Sequence, residues 1–171
     1  NREQAVDDFI LARVVHVIAV LLWIGGVAFV TLALMPAIRV DQAPAARIHA
    51  FHAIERRFST QAKLWVVLAG ASGLWMVWRY DMWSRFAEPQ LWWMHAMVGL
   101  WLVFMLMLFV LEPLVLHKAM AASDPDGRTF GRMERVHRVL VVLALITLCG
   151  AVAGSHGMTV SAPLLLPSRT T

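Results

Sequence analysis

With 171 residues, 60% of them hydrophobic and 15% charged, and a mean hydropathy of +0.66, the chain is far too apolar for a soluble domain of its size. Its formal charge of +4 does not mark a nucleic-acid module, because the basic side chains stand in short stretches between apolar runs and form no patch interleaved with stacking aromatics. The one cysteine, Cys149, lies inside an apolar run, which excludes a disulfide framework and a cysteine metal cluster.

A helix needs about 20 apolar residues to cross roughly 30 Å of hydrocarbon. Four segments meet that length, near 10–37, 59–80, 91–117 and 133–156. They predict an all-α protein of one domain, an integral membrane bundle of four antiparallel transmembrane helices. Asn1 to Asp8 is polar and the first apolar run is too long for the core of a signal peptide, so no cleavable signal is expected in this stretch. Asp7 and Asp8 favour the start of the first helix, and Pro36 stands near its end. Ser59 or Thr60 is expected to cap the second helix, which stops at Trp78-Arg79-Tyr80-Asp81. Trp78, Tyr80, Trp83, Trp92 and Trp93 then crowd the short connection to the third helix, as an interfacial aromatic belt would.

The third helix carries Glu112-Pro113 near its far end, where the proline should kink it and the glutamate should find a basic partner at the loop. Ser123-Asp124-Pro125-Asp126-Gly127 reads as a linker. Gly150 and Gly154 in the fourth helix, like Ala69 and Gly73 in the second, make small-xxx-small patterns that let backbones approach. The tail from Met158, with Pro163 and Pro167, reads as surface coil. Arg39, Arg47, Arg56, Arg57, Lys63, Lys118, Arg128, Arg132, Arg135 and Arg138 fall on the side of the loops joining helices 1 to 2 and 3 to 4, against Arg2, Arg13, Arg79, Arg85 and Arg169 on the other. That bias predicts both termini outside, periplasmic if the membrane is a bacterial inner membrane.

Alternating helix direction also sorts the seven histidines by depth. His16, His95 and His156 fall toward the side of the termini; His49, His52, His117 and His137 fall toward the loop-rich side. An ionisable side chain within a spanning segment is costly, and is a functional candidate by default. Neutral imidazoles are the axial ligands of b-type haem, and bundles hold cofactors between facing helices. His16 with His95 is the favoured pair and His156 the substitute for either. Gly99, one turn beyond His95, leaves room for a porphyrin, and Arg13, one turn before His16, could meet a propionate. A second, inner haem or metal would draw on His52, His117 and His137. His95 and His117, 22 positions apart, are separated by roughly 33 Å along an ideal helix, so His117 belongs at the interface. His49-x-x-His52 has a spacing that can bind a metal, placed in the basic loop before the second helix. Met94 and Met97 beside His95 are soft ligands of the kind that suit copper, but His95 is rotated away from both on a helix.

Three stretches together carry a family resemblance: His16-Val-Ile-Ala-Val-Leu-Leu-Trp23-Ile-Gly25-Gly26, Ile54-Glu55-Arg56-Arg57-Phe58 and Trp93-Met-His95-Ala. In order and spacing the chain resembles the HemJ-type protoporphyrinogen oxidases and the related CopD-like membrane domains, over helices 1 to 3 more than helix 4. The resemblance implies a bundle of four or more helices in a bacterial inner membrane, with haem b in the first branch and copper uptake in the second. It places His16 and His95 on the helix 1 and helix 3 histidines of the family. HemJ-type proteins carry a lysine two residues after the latter, where this chain has Met97. The function expected is that of a membrane cytochrome b moving single electrons among a quinone, a periplasmic redox partner or oxygen species. A divergent protoporphyrinogen oxidase and a copper-handling membrane protein are the alternatives.

Overall fold

A computed structural model describes residues 2–112, 114 and 126–157. All regular secondary structure among them is helical. Helix α1 (Arg2–Phe29) passes through a π-helical turn (Val30–Leu34) into α2 (Met35–Asp41). A 3-10 turn (Pro44–Ala46) leads to α3 (Arg47–Arg79), and two more (Met82–Ala87 and Pro89–Leu91) lead to α4 (Trp92–Leu106). A second π turn (Met107–Leu111) ends α4, and α5 (Arg128–Ser155) follows.

Both π turns have a reason in the sequence. Proline has no N–H to give the carbonyl four residues back, so Pro36 leaves that of Leu32 without its α-helical partner. The turn before it widens, and the N–H of Met35 bonds to Val30, five residues back. Glu112 bonds to Met107 in the same way, and Pro113 follows the second π turn in sequence as Pro36 follows the first. Pro113 itself, His117, most of the expected linker and the tail from Met158 lie outside the described residues.

Among the described residues, three stretches are long and apolar enough to cross a membrane: Val6–Asp41, Pro89–Leu111 and Arg128–Ser155. By length and composition they mark a multi-pass membrane protein in contact with lipid. Helix α3 is as long but less apolar, because Lys63, Gly70, Ser72, Gly73 and Arg79 dilute its C-terminal half.

Several boundaries depart from expectation. Helix α1 begins before Asp7 and Asp8, which therefore lie within it. Helix α3 begins at Arg47, twelve residues ahead of the expected 59, so Ser59 caps nothing and His49 and His52 stand on a helix rather than in a loop. A search for apolar runs passes over this stretch. It is amphipathic instead, with Ile48, Phe51 and Phe58 recurring at helical spacing and the first two fully packed. Helix α5 likewise starts at Arg128, directly after Gly127, whose φ of +66° suits glycine.

Contacts run the length of the helices and define their register. Phe9 meets Tyr80 edge-on at 4.7 Å, His16 bonds to Ala69, and Gly26 receives the Phe58 ring, so α1 and α3 lie antiparallel. Trp101 of α4 donates to the Val66 carbonyl at 2.9 Å, and its indole covers Gly70. Trp23 meets Phe104 edge-on at 4.9 Å in the middle of the main core. A second core gathers Val30, Met35, Ile38, Ile48, Phe51 and Phe130 at the loop-rich end. The small-xxx-small pattern of α5 is filled by aromatic rings, not by a neighbouring backbone: Trp92 lies 2.6 Å from where a Gly150 Cβ would stand, and Trp93 presses on Gly154. Those two tryptophans are thus packing residues of α4 and α5 as well as members of the aromatic belt.

Candidate functional site

His16 lies on the face of α1 that carries Trp23, since seven residues bring it back within about 20°. The face is packed against α3, so the imidazole is half-buried there. Its Nδ1 is 2.8 Å from the Ala69 carbonyl oxygen and 3.2 Å from Ser72 Oγ. A carbonyl can only accept, so the proton sits on Nδ1 and Nε2 is left with a free lone pair. Such a bond from the far nitrogen orients a metal-ligating histidine and selects its tautomer. Gly73 makes the approach possible, for a Cβ there would stand 3.1 Å from His16 Cε1.

His95 shares the height of His16. The Trp23–Phe104 contact ties α1 to α4, and His16 lies seven residues before Trp23 while His95 lies nine before Phe104. The difference is two residues, or roughly 3 Å along the axis. Azimuth is another matter. Nine residues turn His95 about half a revolution from Phe104, the ring that faces α1. His95 is exposed, its ring edge-on to Phe86 at 5.4 Å, and it makes no hydrogen bond among the described residues. Gly99 is exposed on the same side with open space around its Cα. Arg13 is exposed and enters no ion pair among the described residues. His156 is exposed at the end of α5, its Nδ1 2.8 Å from the Val152 carbonyl.

At the loop-rich end, His52 and His137 both touch the buried Phe51 ring, at 5.7 and 6.0 Å between centroids. His52 Nδ1 pairs with Glu55 at 2.9 Å, and His137 Nδ1 with the Met133 carbonyl at 2.9 Å. His49 is exposed on the neighbouring face of α3. Their expected companion His117 lies outside the described residues. No group of three or more His, Cys, Asp or Glu side chains is gathered as a metal site among the described residues.

Two carboxylates, Glu112 half-buried and Glu134 buried, tie the helices together. Glu112 accepts from Ser59 Oγ at 2.6 Å and pairs with Lys63 at 3.3 Å, which supplies the basic partner expected of it, though from mid-helix α3 and not from a loop. Glu134 of α5 is held by Arg39 of α2 and by Arg138 one turn along its own helix. Ser59 also borders a cavity of about 40 Å³, lined in addition by Trp23, Glu55, Ala62, Phe104 and His137, among others. The contribution of Glu55, Ser59 and Trp23 escapes a search for histidines. A signal for it exists: His52, Glu55, Ser59, Ala62, Val66, Ala69 and Gly73 recur every three or four residues, one face of α3 that is polar at one end and small at the other.

As to what the residues can hold, His16 suits an axial ligand of haem iron by its committed Nδ1 and free Nε2. His95 has the height and the unengaged nitrogens, but its side chain leaves α4 on the outer face, so the expected pair of His16 and His95 is not brought together. Comparison with protein families, with curated proteins and with solved structures finds no match for this chain.

Proposed function

We propose that this chain is a membrane cytochrome b: a bundle of four transmembrane helices that holds one b-type haem in the half nearest the termini and passes single electrons. The observation that carries the reading is the bond between His16 Nδ1 and the Ala69 carbonyl, which leaves an oriented imidazole nitrogen free inside a spanning helix. His95 stands at the same height but faces the outer side of α4, so it would reach the iron held by His16 only with α4 turned about its axis, and His156 is the substitute. The resemblance to HemJ-type and CopD-like proteins agrees with these positions. When bound, the haem supplies reversible one-electron chemistry at a potential tuned by axial ligation and burial. The chain's own residues do the rest: Ala69 and Ser72 orient His16, and Arg13 would offer a guanidinium to a propionate.

Helix α3 is the fourth crossing in this reading. It runs beside α1 from Tyr80 at Phe9 to Phe58 at Gly26, so it occupies the same slab of membrane. Loop charge then puts both termini on the periplasmic side of a bacterial inner membrane, where a quinone or a periplasmic redox protein would exchange electrons with the site.

The test is optical. Full-length protein purified in detergent should show a dithionite-reduced α band and a pyridine haemochrome of haem b. His16→Ala should lose the haem, and His95→Ala should either lose it or turn a low-spin spectrum high-spin. Full haem content with an unchanged spectrum in both variants refutes the assignment, and a colourless protein that retains copper refutes the cytochrome reading altogether.

A further inference from the structure

Among the described residues, two indole nitrogens are buried without a hydrogen-bond partner, those of Trp23 and Trp93. Their surroundings differ. Trp93 Nε1 is pressed against Gly154 by close packing. Trp23, only 4% exposed, lines the cavity of about 40 Å³ among α1, α3, α4 and α5, whose other polar lining is Glu55, Ser59 and His137. A buried N–H without a partner is rare enough to call for an unseen one. Each water needs roughly 10–15 Å³ of such space and two or more polar partners, so about three waters fit and can be bonded.

We infer that this cavity holds a small cluster of resident waters, bound by the Trp23 indole and Glu55, through which protons exchange between the loop-side surface and the Ser59–Glu112 pair. The donors and acceptors are matched to it. Trp23 Nε1–H can only donate, and Glu55 accepts. Ser59 gives its proton to Glu112 and keeps lone pairs for water; His137 commits Nδ1 to Met133 and leaves Nε2 free. His52, bonded to Glu55 at 2.9 Å, is the entry from the surface. The titratable groups around the cavity are His52, Glu55 and Lys63 of α3, Glu112 beyond α4 and His137 of α5, while α1 contributes only the indole. Each hop breaks one O–H or N–H bond and forms another, so a single proton moves and nothing is oxidised. This inference stands apart from haem binding and needs no cofactor.

The experiment uses full-length protein with ¹⁵N-labelled tryptophan in nanodiscs, read by water-exchange NMR. The Trp23 indole should show an exchange cross-peak to water, and the Trp93 indole, whose nitrogen is likewise buried but lines no such cavity, should show none. Ala62→Leu, which fills the cavity, should abolish the Trp23 cross-peak while leaving helical content and the Trp93 signal unchanged; Ala62→Val is the milder filling if the leucine variant fails to fold. Glu55→Gln should slow exchange at Trp23. A Trp23 indole as protected as that of Trp93 overturns the water cluster, and exchange at Trp23 unaltered by Glu55→Gln overturns the proton route.

Discussion

Glu134 offers a test of which member of a buried ion pair carries its stability. Its side chain is 3% exposed, whereas Arg39 and Arg138, which both engage it, are 49% and 58% exposed. Removing both guanidiniums with R39A/R138A leaves a carboxylate in the interior with no countercharge, a loss of about 3–5 kcal/mol. Removing the carboxylate with Glu134→Gln leaves two arginines already half in solvent. Their loss resembles that of exposed pairs, about 1 kcal/mol or less each, and the amide retains the shape of the site. The double arginine variant should therefore unfold at a clearly lower fraction of SDS in mixed micelles than Glu134→Gln, followed by far-ultraviolet circular dichroism and tryptophan fluorescence. The reasoning fails if the two unfold at the same SDS fraction, or if Glu134→Gln is the weaker.

Glycine at 154 should be equally open to test. Gly154→Val collides with the Trp93 indole and should cost about 1–3 kcal/mol in the same unfolding assay, with Trp93→Ala in the same chain recovering part of the loss. Ser59→Ala deprives Glu112 of a charge-assisted bond and leaves it with Lys63; a destabilisation of about 1.5–3 kcal/mol is expected, and little change would show that the lysine alone suffices.

Much of this architecture can be read in the linear chain because one physical cost dominates it. Backbone polar groups and charges are expensive in hydrocarbon, so long apolar runs and short basic connections announce spanning helices before any packing is considered. Glu112 illustrates how far that carries: a carboxylate beside a spanning helix requires a cation, and Lys63 is there. The helical stretch from Arg47 to Phe58 was hidden from the same logic because it buries only one face. The grooves at Gly150 and Gly154 were legible, but not that indole rings would occupy them.

The sequence by itself determined that the chain is helical and membrane-embedded, and helix direction with rise per residue implied a common height for His16 and His95. Only tertiary structure decided where those rings turn. Rotation about a helix axis is set by which side chains interdigitate, and the Trp23–Phe104 contact faces His16 toward α3 while leaving His95 on the outside of α4. It also decided that Trp23, Glu55, Ser59 and His137, spread over 115 positions of the chain, line one cavity, because long-range packing brings together residues that no local spacing relates.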